Sequence, residues 1–489
     1  MKSDIKQLPK NWVLITLNDI RIGKNPSILP NKQPDKFFEL YSVPSFDNHK
    51  PEIVQGKQIG SNKQIVYTDD VLLCKINPRI NRVWIVGEFS EHQKIASTEW
   101  IPFNKLEGIY PKFLAYYMLQ TDFSSYLSLT ASGVGGSLMR TNTSKVGKYP
   151  FILAPYNEQV RIVSKIEELL SRLDSGVQAL QKTQQQLEWY KQSTLKQAFT
   201  GKLTEKWRKE HNIHIDYQIN DNNLLIIPST WTWKKVKEIG QVITGTTPNK
   251  SVLKYYGNDY PFYKPTDLNN GYYVKDSFDG LSELGLEKAK YLPEKSILVT
   301  CIGATIGKTG FIRKPGASNQ QINSIVPNYD MYPEFIYFIC TSSPLQNMIK
   351  KNASATTLPI LNKSKFMELD FPIPPYNEQI EIVDNIEKHL SIIENNDLKL
   401  NQIITNCAVL KKALLKKAFE GRLVPQGPND EPATILLERI KIEREKLKPI
   451  QKKDRRKAHA IRKKGDRKFV FRLKPVNKTR PKERLKGFG

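Results

Sequence analysis

Two stretches of the chain carry apolar residues at spacings of three and four. They fall at Val163, Ile166, Leu170, Leu173, Val177, Leu180 and Leu187, and again at Val383, Ile386, Leu390, Ile393, Leu400, Ile404, Cys407 and Leu414. Each pattern predicts a long helix that buries one seam, most simply against the other helix. Asn157 and Asn377 are expected to cap the free amide groups where the helices begin, and Gly201 and Gly421, each two residues after a Phe, to stop them. A helix of about 43 residues at roughly 1.5 Å per residue is a rod of about 64 Å. Two seam positions are mismatched: Gln184 aligns with Ile404, and Asp397 with Val177. Polar residues there either set the register or mark a frayed, hydrated layer.

The two helices are copies of one another. Pro155-Tyr-Asn-Glu-Gln159 and the twelve residues after it recur from Pro375 with 11 of 17 positions identical. At the same offset of 220, Leu195-Lys-Gln-Ala-Phe-Thr-Gly-Lys-Leu203 recurs as Leu415-Lys-Lys-Ala-Phe-Glu-Gly-Arg-Leu423. The chain is therefore expected to be a tandem duplication. Leu8-Pro-Lys-Asn-Trp12 answers Ile227-Pro-Ser-Thr-Trp231, and Asn142-Thr-Ser-Lys145 answers Asn362-Lys-Ser-Lys365, but between these anchors the copies hardly align. Similar scaffolds around dissimilar inserts suit a protein that reads two different targets with one architecture. Both inserts mix short β-rich runs (Ile65–Tyr67, Val71–Cys74, Val83–Val86; Ile297–Thr300, Gly310–Ile312) with helical stretches at Pro111–Gln120 and Pro333–Cys340. They are read as α+β domains.

Charge sharpens this picture. The 489 residues hold 75 Lys and Arg against 49 Asp and Glu, a formal +26, which argues against a neutral small-molecule enzyme. Residues 441–489 alone contribute +16, the two inserts with their flanks (1–155 and 227–374) +6 and +5, and the helical stretches are nearly neutral. Two basic domains held apart by neutral helices suggest two nucleic-acid faces separated by a protein-binding element. The tail after Leu447 has the composition of a disordered arm that attracts polyanions or is simply solvated. No run of 18 apolar residues and no signal sequence is readable, so a cytoplasmic location is expected. The four cysteines lack paired short spacing, which removes zinc fingers and a disulfide framework, and His211 and His214 are read as a solvated loop pair.

The doubled Pro-Tyr-Asn-Glu-Gln helices, the Leu-Lys-x-Ala-Phe-x-Gly-(Lys/Arg)-Leu endings, and Leu423-Val-Pro-Gln-Gly-Pro-Asn-Asp-Glu-Pro432 leading to Leu436-Leu-Glu-Arg-Ile440 resemble the specificity subunit of a type I restriction-modification system. The resemblance covers residues 8 to about 446. It implies two globular target-recognition domains of α+β class joined by two long antiparallel coiled-coil helices with pseudo-two-fold symmetry. The domains would be 1–155 and 227–374, the conserved helices 156–208 and 375–422, with a linker at 209–226, a conserved segment at 423–446 and the basic tail at 447–489. It further implies a non-catalytic subunit that binds double-stranded DNA at a site of two unlike halves. The partners would be two adenine-N6 methyltransferase subunits and two ATP-dependent restriction subunits. No cofactor would be bound by this chain; S-adenosylmethionine, ATP and Mg2+ would be used by the complex.

Two motifs resemble catalytic loops without their chemistry. Ile373-Pro-Pro-Tyr376 has the shape of the Asp/Asn-Pro-Pro-aromatic motif of amino-methyltransferases, but Ile373 has no acceptor for a target amine. Gly303-Ala-Thr-Ile-Gly307-Lys308-Thr309 has three residues between its glycines where a phosphate loop needs four, so it is read as a tight turn between strands with Lys308 free for a DNA phosphate. Base and phosphate contacts call for Arg, Asn, Gln, Lys, Ser and Thr. The first domain clusters these at Asn77, Arg79, Asn81 and Arg82, backed by Asn48, Lys50 and Arg140. The second offers Thr244, Thr246, Thr247, Lys264, Thr266, Asn269, Asn270, Lys308, Asn319, Gln320 and Gln321. The competing readings are a coiled-coil adaptor that binds a polyanion through its tail, and a single-chain restriction or methyltransferase fusion, for which no cofactor loop or nuclease carboxylate cluster is found.

Overall fold

A computed structural model describes residues 8–132, 139–213, 216–219, 226–354 and 358–447. His214 and residues 448–489, most of the basic tail, lie outside the described residues. The chain is mixed helix and sheet, and two helices stand out by length: Tyr156–Ala198, of 43 residues, and Tyr376–Phe419, of 44. Both follow a proline, which presets the backbone for a first helical turn. The chain divides into two compact units, residues 1–177 with 405–489, and residues 178–404. Each unit therefore holds one insert, the first part of the helix that follows it, and the last part of the other helix.

In the first unit, Val13–Thr16 pairs antiparallel with Pro150–Leu153, so the two ends of the insert close on each other at the start of the long helix. Between them lie a five-stranded sheet and a three-stranded one. Phe37–Tyr41 runs parallel to Gln93–Ser97 in the larger sheet, and Val71–Cys74 is central in the smaller, flanked by Val83–Ile85 and Trp100–Phe103. Helices Pro111–Met118, Thr121–Thr130 and the short Thr143–Gly147 follow the sheets. The core joins Phe113, Phe123 and Phe151 to Ile162, Val163 and Ile166 of one long helix and Ala418 and Phe419 of the other. The rings of Phe113 and Phe419 meet edge to face at 5.1 Å. Residues 433–447 are helical, and Leu436 and Ile440 enter the same core.

The second unit repeats this plan. Thr232–Lys235 pairs with Asp370–Ile373, and Tyr256–Tyr263 runs parallel to Ala317–Ser318. A four-stranded sheet has the order Gly240–Thr244, Ile322–Pro327, Ile297–Thr300, Thr309–Phe311. Ile382, Val383 and Ile386 share the core with Leu195, Ala198 and Phe199. Within this unit the long helices run antiparallel: Gln184 donates to Asp397 (2.9 Å) and Asn401 (3.0 Å), and Tyr190 meets His389 at 2.9 Å. The mismatched seam positions are thus a hydrogen-bonded polar layer. The apolar seam residues are buried or half-buried at every expected position.

The expected caps are not formed by Asn157 and Asn377, which are exposed second residues of their helices. The helix start is fastened instead by the next two side chains. Gln159 donates to the Ala154 carbonyl (2.9 Å) and accepts from the Tyr110 amide (2.9 Å); Gln379 does the same with Pro374 (3.0 Å) and Tyr332 (2.8 Å). Glu158 accepts the indole N–H of Trp12 at 2.9 Å and Glu378 that of Trp231 at 3.0 Å. Gly201 and Gly421 do end the helices, with φ of 73° and 69°. A Cβ on either would lie 2.4 Å from Pro228 or 2.2 Å from Pro9, so both φ and space require glycine.

Candidate nucleic-acid interface

In the second unit the predicted contact residues come together around the loop Gly303–Gly307, which joins Ile297–Thr300 to Thr309–Phe311. Its ends are left-handed, with φ of 101° at Gly303 and 88° at Gly307. The Ile306 amide donates to the Gly303 carbonyl (3.1 Å) and Thr300 to Lys308 (2.8 Å), which closes the turn. Its neighbours hold it from both sides: Gly303 donates to Pro359 (2.9 Å) and Cys301 to Gln321 (2.7 Å). Further bonds link Thr246 to Ser318 (2.9 Å), Thr247 to Gln320 (2.6 Å), Asn319 to Tyr263 (3.1 Å) and Lys308 Nζ to the Pro265 carbonyl (2.6 Å). Segments 244–247, 264–267, 303–308 and 319–321 therefore form one hydrogen-bonded surface. Gly245 permits it, because a Cβ there would sit 2.2 Å from the Asn319 carbonyl oxygen.

Several expected contacts are spent inside this scaffold. Lys308 is not free, since its ammonium is bound to Pro265; Lys264 is paired with Asp279. Thr244 donates to Asn323 at 2.6 Å, and Asn319, only 8% exposed, is bonded to Gln321 through its side-chain amide at 2.9 Å. The exposed polar residues that remain are Thr266, Asn269, Asn270 and Gln320, with Thr246 and Thr247 half-buried beside them.

The first unit gathers its candidates around Asn77–Asn81, between Val71–Cys74 and Val83–Ile85. Asn77 and Asn81 are both left-handed, with φ of 47°, and bracket the short 3-10 turn Pro78–Ile80. The Ile80 amide donates to Asn77 (3.0 Å), Cys74 to Arg82 (2.9 Å), Asn77 to Met139 (2.9 Å) and Lys75 to Glu99 (2.8 Å). Here too the basic residues are partly consumed. Arg82 has 13% of its side chain exposed and its Nε lies 3.7 Å from Asp47; Arg140 donates to Glu99 at 3.0 Å. Asn81 donates to the Met118 carbonyl at 2.7 Å with its own carbonyl oxygen buried, so its side chain is engaged in the scaffold. Burial pulls the Lys75 ammonium below its ordinary range against the opposing pull of Glu99. Arg79, Asn48 and Lys50 are exposed, and among the described residues Arg79 has neither an ion pair nor a side-chain hydrogen bond.

The two loops are built alike. After Ile76 and Ile302, the six residues Asn77-Pro-Arg-Ile-Asn-Arg82 and Gly303-Ala-Thr-Ile-Gly-Lys308 place left-handed residues first and fifth, isoleucine fourth and a cation sixth. Ile76 bridges to Arg140 as Ile302 bridges to Ile360. The offset is 226, not the 220 of the helices. Sequence reading at the helix offset therefore missed the match, and with it Thr305, the exposed counterpart of Arg79. The spacing Ile-(Asn/Gly)-x-x-Ile-(Asn/Gly)-(Arg/Lys) was the signal for it. Among the described residues no group of three or more His, Cys, Asp or Glu is arranged to hold a metal ion, and no helix is long and apolar enough to cross a membrane.

A fold of two units, each with such a surface and with parts of both long helices, defines a class, to which comparison with known proteins can be added. Residues 228–406 match the family model described as "Type I restriction modification DNA specificity domain". Over those residues the chain carries a DNA specificity domain of the type I restriction-modification kind, and the proteins it is similar to are specificity subunits of such systems. It is similar to the type I restriction enzyme HindI specificity subunit of Haemophilus influenzae, 25% identical over 69% of this chain and 85% of that one. The EcoBI specificity subunit of Escherichia coli is 25% identical over 78% and 80%. The fold is shared with the HsdS subunit from Thermoanaerobacter tengcongensis, at a TM-score of 0.60 and 19% identity over 86% of this chain and all of that one. A chain from a structure describing assembly of a type I system gives 0.68 and 19% over 85% and 99%.

Proposed function

We propose that this chain recognises DNA for a type I restriction-modification complex, each unit binding one half of a bipartite, asymmetric double-stranded site. The observation that carries the reading is the pair of equally built surfaces that present different hydrogen-bonding side chains. One offers Arg79, Asn48 and Lys50, the other Thr266, Asn269, Asn270 and Gln320. Equal scaffolds give equal approach to a groove, and unequal side chains give unequal half-sites. The two inserts correspond to target-recognition domains of one duplicated module. The long helices set the spacer between half-sites and dock two methyltransferase subunits, with two restriction subunits joining them. Exposed apolar side chains along the helices support docking: Trp189, Ile392 and Leu398 in the second unit, Val409 and Leu410 in the first. This chain contributes no chemistry of its own; S-adenosylmethionine, ATP and Mg2+ belong to the partner subunits, where adenine-N6 methylation and DNA cleavage take place.

The test is co-expression with the cognate methyltransferase followed by methylome sequencing. Exchanging residues 16–140 for the insert of a relative is expected to change one half of the methylated motif and leave the other unchanged. A change in both halves, or methylation without a two-part motif, overturns the assignment.

A further inference from the structure

The matched loops allow their six positions to be compared one by one. Positions one and five are the left-handed residues, Asn77 and Asn81 or Gly303 and Gly307, where backbone conformation dictates the residue type. The second, Pro78 or Ala304, has no polar side-chain group, and the fourth is isoleucine in both. The sixth is a cation already engaged, Arg82 near Asp47 and Lys308 on the Pro265 carbonyl. The third position alone is polar, exposed and, among the described residues, without a side-chain partner in both loops, and it is occupied by chemically different residues: Arg79 and Thr305.

We propose that this third position is the equivalent specificity-determining site of the two surfaces, with Arg79 reading a guanine and Thr305 packing its methyl group against a thymine. The inference rests on the DNA-recognition reading above. An arginine fork matches the O6 and N7 acceptors of guanine in the major groove, and a threonine methyl complements the thymine C5-methyl group. A turn closed by its own backbone hydrogen bonds and held on both sides presents either side chain without a large ordering cost. Neither residue has a positive φ, so substitution leaves the turn intact.

The experiment uses the full chain co-expressed with its methyltransferase and reads both the methylated motif and the binding of single-base variants of the site. Arg79→Ala is expected to relax one guanine position in one half-site, lowering discrimination there by roughly 10- to 100-fold. Thr305→Arg is expected to recode one position of the other half towards guanine, with the first half unchanged. Arg79→Lys and Thr305→Ser, which are milder, should give partial relaxation at the same two positions. Uniform weakening of all sequences by Arg79→Ala, with a reduced salt dependence, would make it a phosphate contact and overturn the proposal. An unchanged motif in the Thr305 variants, while the wild type methylates a two-part site, also overturns it and leaves the DNA-recognition reading standing. A wild-type complex without any two-part motif would instead remove that underlying reading.

Discussion

Arg208, with no exposed side-chain surface, holds its guanidinium against the carboxylate of Glu378, which is itself 1% exposed and also accepts the Trp231 indole N–H. The Thr204 hydroxyl donates to the same carboxylate at 2.7 Å. The equivalent Glu158 of the first unit accepts from Trp12, while Arg161, three residues on, is turned to Asp430 at 2.6 Å. Burial raises the Glu158 carboxyl above its ordinary range, with Trp12 and Arg161 opposing.

Removing one member of a fully buried ion pair strands the other. Arg208→Met should therefore destabilise the second unit by about 3–5 kcal/mol, and adding Glu378→Gln should recover much of the loss. Glu158→Gln should change stability by no more than about 1 kcal/mol, because the amide oxygen still accepts from Trp12 and no cation is stranded. Thermal denaturation of the co-expressed complex ranks the three. A Glu158→Gln loss as large as that of Arg208→Met would refute the asymmetry.

The helix stops make a second prediction. Gly201→Ala and Gly421→Ala each force a left-handed alanine, at about 1–2 kcal/mol, and drive its Cβ into a proline ring. Each should lower the melting temperature of the unit it closes. Pro228→Ala and Pro9→Ala in the respective backgrounds should recover the steric part alone.

Asp70 supplies a pH dependence. It is 1% exposed and accepts from the Tyr67 and Lys105 amides and from Asn104, and desolvation lifts its pKa to about 6 against those bonds. A carboxyl raised in the folded state binds its proton more tightly there than in the unfolded chain. Its contribution is thus complete below the ordinary carboxylate range and is lost as pH rises through about 6. A rise from the ordinary carboxylate range to about 6 corresponds to roughly 3 kcal/mol. The stability difference between wild type and Asp70→Asn should change across pH 4–7 in favour of the variant as pH rises. A flat difference would show that Asp70 titrates normally.

Local periodicity was enough to find the long helices, their glycine stops and the α+β character of the inserts, because each depends on residues a few positions apart. The helix starts were misread for the opposite reason. Asn157 looks like a cap from its neighbours alone, whereas Gln159 does the fastening through Tyr110, 49 residues away. Composition picked out candidate clusters whose residues the structure draws together, but it did not reveal which cations are spent. Lys308 on Pro265 and Arg82 beside Asp47 are pairings across the sheet ends, invisible along the chain. Thr305 was hidden by a six-residue shift between the loop offset and the helix offset.

The last prediction uses the helices as a ruler. If they set the spacer, four residues inserted after Gln184 add about 6 Å at roughly 1.5 Å per residue, and a base pair rises about 3.4 Å. The recognised spacer should lengthen by about one or two base pairs, with both half-site sequences retained. Four residues exceed a turn of roughly 3.6 by a small angle, so the apolar seam is nearly restored. The Gln184 bonds to Asp397 and Asn401 are the local cost, since the register beyond the insertion moves by one turn. Two residues would rotate the seam away from its partner and should abolish assembly with the methyltransferase. Methylome sequencing of both variants decides the matter: an unchanged spacer in the four-residue variant, or altered bases in either half, would show that spacing is set elsewhere.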